Sequence, residues 1–293
     1  MGFGSGTVSR LALTSEGAER CQVTIIEPQG RWPRLRLHDV WEYRDLLYFL
    51  VWRDVKVRYK QTALGAAWAI LQPVLATIVF SIFFGRLAKG PSDGVPYPVF
   101  AYVALLPWQL FSFCLAESAG SLVSNQNLIK KVYFPRLVIP LATVLTGLVD
   151  FGVSFIVLLI LLFGYGIVPT AASVVLLPAL LLFAIAAALS VGIWLSALNV
   201  QFRDVRYTLP FLTQIWMFAT PVVYSSSLVP DKWRPLYGLN PMTGVVEGFR
   251  WALLGHAKGA VPQVWVSAGM VVLLLAGGLF YFRRMESTFA DIV

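Results

Sequence analysis

Long apolar stretches without charged residues constrain the fold of this chain more than any other feature. Between Lys60 and Arg86 no Asp, Glu, Lys or Arg occurs. At a rise of 1.5 Å per residue, such a run forms a helix that can cross a hydrocarbon layer of about 30 Å. Hydropathy predicts six spans, at residues 64–87, 99–119, 137–163, 173–198, 209–224 and 261–282. An even number of crossings returns the C-terminus to the side where the chain began.

Composition agrees with an all-α polytopic membrane protein. Hydrophobic residues make up 58% of the 293 and charged residues only 13%, whereas a soluble domain carries about 25% charged residues. The net charge of +8 comes mostly from Lys and Arg before the first span and in loops on the same side. The positive-inside rule therefore predicts that both termini are cytoplasmic, and we expect no nucleic-acid binding.

Cysteine and histidine usage indicates neither a disulfide framework nor a metal site. Cys21 and Cys114 fall in segments that should lie at different depths or sides of the membrane. The two histidines, His38 and His256, are far apart in sequence. We therefore expect no metal ligands in this chain.

Three regions follow from the order of these features: a cytoplasmic N-terminal segment at 1–43, a basic amphipathic helix at 44–62 and a transmembrane domain at 63–293. The first 22 residues lack the apolar core of a secretory signal, so we expect them to stay in the cytoplasm. Residues 23–45 are interpreted as a surface lead-in to the helix, with a separate binding module as the alternative.

The segment at 44–62 has the pattern of a helix that lies on a membrane surface. On a helical wheel Val51, Trp52, Val55 and Tyr59 share one side, with cations opposite. Asp54 and Arg58 are spaced to pair along the helix. A strand is the alternative for the alternating run VKVRYK, although no other strand signal accompanies it. The candidate interfacial residues are Arg53, Lys56, Arg58, Tyr59 and Lys60.

Between the fifth and sixth predicted spans, residues 221–259 are too apolar for a simple solvated loop. Pro230, Pro235 and Pro241 nevertheless interrupt any long helix. Backbone within a membrane must be satisfied in helices or packed protein. Short re-entrant helices are therefore expected here, one of them starting after Asn240.

Two predicted spans carry polar and aromatic stripes. Such faces avoid lipid and suit a pathway in which rings stack on sugars and amides bind hydroxyls, but helix packing explains them almost equally well. The stripe residues are Tyr102, Gln109, Phe113 and Glu117 on the second span, and Phe211, Gln214 and Phe218 on the fifth.

Asp150 lies near the middle of the third predicted span. An ionised aspartate there costs about 2.5–3.5 kcal/mol, so it must face protein or water, or be protonated. A functional role and a structural hydrogen bond between helices both remain open. Arg86 and Arg250 are the nearest cations by topology, and both lie toward the far surface.

The loop at 120–136 combines the capping residues Ser124 and Asn125 with a short helical run that ends in Lys130 and Lys131. Such a helix suits the docking of a partner protein, and an ordinary positive-inside loop is the alternative. The chain contains no Gly-Lys dipeptide, which excludes a nucleotide-binding P-loop. Energy for any active transport must therefore come from another subunit.

Four separated motifs, in order, resemble the membrane subunit of bacterial ABC-2 type polysaccharide exporters, particularly O-antigen exporters. They are WEYRDLLYFLVWRDVKVRYKQTALGAAWAILQP (41–73), NLIKKVYFPRLVIPLATVLTGLVDF (127–151), NVQFRDVRY (199–207) and LNPMTGVVEGFRWALLG (239–255). The resemblance extends from residue 23 to the C-terminus.

The resemblance implies a permease in the bacterial inner membrane that binds no cofactor itself. Two copies would pair with a cytoplasmic ABC ATPase that holds ATP and Mg, and would move lipid-linked polysaccharide outward. The loop would dock the ATPase through Asn125, Gln126, Asn127, Leu128, Ile129, Lys130 and Lys131. Helices after Pro221 would form a gate with Tyr224, Trp233, Tyr237, Asn240, Pro241, Glu247 and Arg250.

The sequence leaves three alternatives to O-antigen export open. Teichoic acid, capsule or a smaller lipid or drug are alternative substrates, because they share the fold and coupling motifs. A multi-pass glycosyltransferase or phosphatase would need converging carboxylates, histidines or a basic cluster, yet Glu117 and Asp150 are the acidic residues within the predicted spans. A passive scaffold or channel would lack nucleotide-dependent coupling.

Overall fold

The computed structural model describes residues 37–60, 67–88, 90–169, 171–255 and 260–292, and every regular element in these ranges is helical. The helices are α1 (Leu37–Glu42), α2 (Arg44–Lys60), α3 (Ala67–Phe80, continued by a π-helical turn at Ser81–Leu87), α4 (Tyr97–Ser124), α5 (Gln126–Lys131), α6 (Val138–Gly164), α7 (Ala171–Gln201), α8 (Val205–Ala219), α9 (Arg234–Gly238), α10 (Pro241–Leu254) and α11 (Ala260–Ile292). Two 3-10 turns, Ser226–Leu228 and Asp231–Trp233, precede α9. The expected N-terminal segment, except its last residues, and residues 61–66 lie outside the described ranges, as do Cys21 and His256.

Helix α4 is the centre of the fold. Its side chains are buried almost all the way round, and it packs against α3, α6, α7, α8 and α10. A helix that is apolar on every side is stable only when other helices cover it. Phe100, Tyr102 and Phe111 are among its fully buried large side chains. The main hydrophobic core therefore surrounds this single helix.

Five of the six predicted spans coincide with helices that are long and apolar enough to cross a membrane. Within the described residues these are Ala67–Leu87, Tyr97–Ser124, Val138–Gly164, Ser173–Gln201 and Pro262–Glu286. The chain is thus an all-helical, polytopic membrane protein.

The predicted fifth span differs from the observed helix. α8 ends at Ala219 after 15 residues, a length of about 22 Å. Residues 220–224 of the predicted span therefore lie outside the helix. Thr220 is extended, with ψ 143°, because a residue before a proline avoids the helical region. The Nδ2 group of Asn240 donates to the Ala219 carbonyl at 3.3 Å. The apolar run therefore continues past the point where the helix ends.

The segment after α8 forms short helices, as its prolines predicted. The N-terminus of α10 is capped by Asn240, whose Oδ1 atom accepts from Met242 N at 3.0 Å. The helix ends at Gly255, which adopts a left-handed conformation with φ 68°. Nearly every α10 side chain is buried, because the helix packs on α4, α7 and α11.

The expected amphipathic helix is α2, so the strand alternative is wrong. It packs along α6, and Val51, Val55 and Tyr59 of the predicted apolar side are half-buried, while Lys56 and Lys60 are exposed. Trp52 is exposed, whereas Arg53 is half-buried. The wheel identifies residues that share a face, but it does not say which face meets the protein.

A second hydrophobic cluster joins α2, the end of α4, α5, α6, α7 and the end of α11. It contains Leu50, Leu122, Ile129, Phe134, Leu137, Ile193, Phe282 and Phe289. The short helix α5 is thereby held on a packed base instead of projecting as a free loop.

Candidate functional site

A cavity of about 340 Å³, lined by both apolar and polar side chains, lies between α2, α3, α4, α6 and α8. Gln72, Gln109, Ser112 and Thr213 contribute amides and hydroxyls to its wall, and Phe113 contributes an aromatic ring. Amide and hydroxyl groups can both donate and accept hydrogen bonds. The cavity can therefore bind a ligand rich in hydroxyl groups.

One wall of the cavity is a cluster of Arg58, Tyr59 and Asp150, which we call the α2–α6 clasp. The Arg58 guanidinium lies 3.0 Å from Asp150 Oδ2, and the Tyr59 hydroxyl donates to Asp150 Oδ1. The guanidinium also lies over the Phe113 ring, 4.2 Å from its centroid. Burial, followed by the hydrogen bond to Asp150, raises the pKa of Tyr59. The phenol therefore remains a donor at physiological pH.

The clasp corrects two expectations about pairing. Arg58 pairs with Asp150, instead of Asp54 as its spacing predicted, and Asp54 accepts from Arg53 at 2.8 Å. Asp150 has a cation partner after all, supplied by α2 and not by Arg86 or Arg250. The 91-residue separation of Tyr59 and Asp150 hides this contact from local sequence patterns.

Two further hollows, of about 380 and 510 Å³, continue from the cavity along α4. Arg53, Asp54 and Glu117 line both, and Arg206 and Asn125 line the larger one. Together with the cavity they form what we call the polar groove. Its far end reaches Asn125, the residue just before α5.

The stripe predicted on α4 divides between the groove and the core. Gln109, Phe113 and Glu117, each one turn apart, line the groove. Tyr102 instead is buried and donates to the Ser154 carbonyl at 3.2 Å. Gln109 and Phe113 thus share the cavity with Asp150, and Glu117 lines the adjoining hollows.

The α8 stripe lies elsewhere. α8 contributes Leu209, Pro210 and Thr213 to the cavity. Phe211, Gln214 and Phe218 are exposed and do not line the cavity of their own chain. The structure therefore does not bring the two predicted stripes together within one chain.

Helix α5 presents polar and basic side chains on its outer surface. Gln126, Asn127, Lys130 and Lys131 are exposed and Leu128 is half-buried, whereas Ile129 lies in the second hydrophobic cluster. Asn125 Oδ1 accepts from the Arg53 guanidinium at 3.0 Å. Of the candidate docking residues, Ile129 is the one turned into the protein.

The remaining α2 candidates point outward. Lys56 and Lys60 are exposed, and the Lys56 ammonium lies 4.3 Å from the Trp52 ring centroid. Trp41, Tyr48 and Phe49 are also exposed. The outer side of α1 and α2 is therefore aromatic and basic.

The candidate gate residues form a bonded unit around Arg250. This side chain is 3% exposed and lies 3.2 Å from Glu247. It donates to the Val222 carbonyl at 2.9 Å and covers the Phe100 ring at 3.7 Å. Such pairing satisfies a charge that would otherwise be costly to bury.

Hydroxyl and amide contacts connect the same unit to α8. The Tyr224 and Tyr237 hydroxyls bond to each other, and Trp216 Nε1 donates to Asn240 Oδ1 at 2.9 Å. Pro241 is buried at the start of α10, whereas Trp233 is exposed. Six of the seven predicted residues thus belong to one packed region.

The described residues contain no group of three or more His, Cys, Asp or Glu side chains that could hold a metal ion. Cys114 is a free, buried cysteine.

A helical bundle in which five helices of the described residues are long and apolar enough to cross a membrane defines a class of protein, the multi-pass membrane protein. Residues 45–254 match the ABC-2 type transporter family. The chain therefore belongs to the ABC-2 type transporter family, as a membrane component.

Three relatives show the breadth of this similarity. The chain is 33% identical to the O-antigen export system permease protein RfbA of Myxococcus xanthus, over 88% of this chain and 98% of the relative. It is 29% identical to the protein of the same name from Klebsiella pneumoniae, over 85% and 95%. Identity to the polysialic acid transport protein KpsM of Escherichia coli is 26%, over 80% and 92%.

Proposed function

We propose that this chain is the permease of an ATP-driven exporter that moves a lipid-linked polysaccharide of the O-antigen type outward across the bacterial inner membrane. The polar groove carries the proposal, because it brings hydroxyl, amide and charged groups together between helices that are mainly apolar. The names of the relatives, which specify export or transport of glycans, support the substrate class.

A partner ATPase supplies the energy in this proposal. The chain lacks a Gly-Lys dipeptide, so ATP and Mg belong to a cytoplasmic ABC subunit and the permease hydrolyses nothing. The exposed residues Gln126, Asn127, Lys130 and Lys131 form the docking surface. Ile129 supports that surface from behind.

The topology has six crossings with both termini in the cytoplasm. α8 serves as a short fifth crossing, and a span shorter than the hydrocarbon thickness is tolerated at modest cost. Residues 220–255 then lie on the outer side, with α9 and α10 dipping into the membrane. The outward aromatic residues of α2 support an interfacial position, since tryptophan and tyrosine favour the headgroup level.

A second copy completes the channel. Phe211, Gln214 and Phe218 face away from the cavity of their own chain, and a second α8 across from them would enclose a path lined by aromatic rings. Stacking on sugar rings suits a polymer that must slide. The homodimer thereby gives these residues a role that the single chain does not.

Transport is a population shift between two arrangements of the dimer. ATP binding to the partner favours one arrangement and hydrolysis favours the other, since each nucleotide state contacts α5 differently. Tyr224, Tyr237 and the Arg250 unit open and close the outer end. The glycan advances through the groove with each cycle.

Complementation in cells tests the proposal. A strain that lacks this chain should lose surface polysaccharide and accumulate lipid-linked glycan inside, and the intact gene should restore both. Normal surface polysaccharide in its absence would refute the export function. Restoration of a sialic acid polymer or teichoic acid in hosts that make them, without restoration of O-antigen, would favour the alternative substrates.

A further inference from the structure

Helix α11 connects the two regions that the proposed function requires to move together. Its cytoplasmic end holds the turn that follows α5, and its other end holds α9 and α10. Glu286 and Ser267 make these attachments. At 1.5 Å per residue they are about 28 Å apart along the helix.

Glu286 forms the attachment near α5. Its Oε1 atom accepts from Arg136 N at 3.1 Å, and its backbone carbonyl accepts from the Arg136 guanidinium. Its Oε2 atom lies 2.7 Å from Arg283, and both side chains are nearly buried. A buried carboxylate with this many donors fixes the position of the chain that supplies them.

Apolar packing reinforces the same attachment. Phe282 and Phe289 are fully buried and meet edge to face, with centroids 5.2 Å apart. Ile129 and Phe134, from α5 and the turn after it, belong to the same cluster. Movement of α5 therefore requires movement of the end of α11.

Ser267 forms the attachment at the opposite end. Its hydroxyl donates to the carbonyls of Gly238 at 2.7 Å and Asn240 at 3.0 Å, and it accepts from Gly244 N at 3.1 Å. A β-carbon on Gly244 would lie 2.6 Å from the Ser267 Cβ atom. α11 thus contacts the gate region directly through the short side chain of Ser267.

Trp194 of α7 contacts α11 between the two attachments. Its indole Nε1 donates to the Leu274 carbonyl at 2.9 Å, and its ring stacks on Tyr281 at 5.0 Å. A β-carbon on Gly278 would lie 2.8 Å from the Trp194 ring, so only glycine permits this approach. The contact gives the helix a pivot near the middle of its length.

We infer that α11 transmits movement of the docking helix α5 to the gate region, with Glu286 and Ser267 as the positioning residues. The inference rests on the proposed function, since the ATPase partner provides the movement. Packed side chains, hydrogen bonds and rigid helices can carry coupling between distant sites, and α11 provides such a connection.

The test measures the accessibility of a cysteine at the outer end of the protein. In a background with Cys21 and Cys114 replaced by Ser, Lys232→Cys places a reporter at an exposed residue beside α9. Proteoliposomes that hold the permease and its ATPase are treated with an impermeant maleimide, with and without ATP. The parent is expected to change its labelling rate when ATP is added.

Glu286→Gln should retain ATPase binding and ATP hydrolysis but reduce the ATP-dependent change in labelling by about three- to tenfold. Glu286→Ala should reduce it further, because Gln can still accept from Arg136 N. Ser267→Ala should have a similar effect from the other end, and the double variant should be no worse than the stronger single one. Arg284→Gln, an exposed neighbour on α11, is the matched control and should behave as the parent.

Three results would overturn the inference. An unchanged ATP response in Glu286→Gln would refute it and leave the proposed function intact. Loss of ATPase binding in that variant would mean that Glu286 only shapes the docking surface. A parent that hydrolyses ATP without any labelling change would refute the proposed gate, and the inference with it.

Discussion

Removal of the Asp150 carboxylate charge should destabilise the protein measurably through the α2–α6 clasp. Asp150→Asn keeps the shape of the side chain but removes the ion pair between Asp150 and Arg58 and weakens the acceptor for Tyr59. Asn can still accept one hydrogen bond, so the change isolates the charge more than the packing.

The exposure of the pair sets the expected magnitude. The Arg58 and Asp150 side chains are 42% and 20% exposed, between a surface pair, worth about 0–1 kcal/mol, and a buried pair, whose disruption costs about 3–5 kcal/mol. Solvent screening of Arg58 favours the lower part of this range. We expect a loss of about 1–2 kcal/mol, or a fall of about 2–6 °C in the unfolding midpoint.

Thermal unfolding in mild detergent measures this loss. The readout is the fraction of the protein that stays monodisperse at each temperature. A double-mutant cycle with Arg58→Gln should give a coupling of about 1 kcal/mol. Glu117→Gln is the matched control, because it removes a groove carboxylate that forms no salt bridge to any described residue. An unchanged midpoint for Asp150→Asn, or additive effects in the cycle, would refute the clasp as a stabilising contact.

Three further changes have defined outcomes. Gly147→Ala should lower the unfolding midpoint, because a methyl group there would lie 2.8 Å from an aromatic carbon of α4. Gly152→Ala on the same helix is the control and should leave the midpoint unchanged, because a methyl group there meets nothing within 4 Å. Equal midpoints for the two variants would contradict the close crossing of α4 and α6. Reversing both charges with Lys130→Glu and Lys131→Glu should reduce co-purification of the ATPase at least about tenfold without changing the midpoint, and unchanged recovery would remove α5 as the docking surface. The pKa of Tyr59 is raised, so the contribution of its hydroxyl to stability is fully present below about pH 10 and is lost only at higher pH. The difference in unfolding midpoint between the parent and Tyr59→Phe should therefore be constant from about pH 6 to 9. A steady decline of that difference over this range would contradict the hydrogen bond from Tyr59 to Asp150.

Hydropathy predicted most of the membrane helices because the signal is local composition. The five long helices fall where apolar runs with at most one charged residue occur, and their boundaries lie within five residues of the predicted ones. The fifth predicted span was wrong at its C-terminal end, since Thr220 and Pro221 stop the helix inside a run that stays apolar. A hydropathy window averages over such a stop, although the proline rule was available to locate it.

Long-range contacts were the part that sequence patterns could not provide. The helical wheel placed Arg53 on the basic side of α2, but it could not show that Arg53 binds Asn125, which lies 72 residues further along the chain. Asp150 seemed to lack a cation because its partner precedes the first span. Glu286 and Arg283 have the spacing of an ordinary surface pair, and only the fold buries them against the turn after α5.

Reconstitution tests the central claim most directly. The permease and its ATPase are placed in proteoliposomes with a lipid-linked polysaccharide on the ATPase side, and a glycan-degrading enzyme added to that side reports what remains. The account predicts that ATP protects the glycan progressively, and that neither the ATPase alone nor a non-hydrolysed ATP analogue does so. Steady ATP hydrolysis by the bound complex, with the glycan fully degraded, would contradict export through this chain.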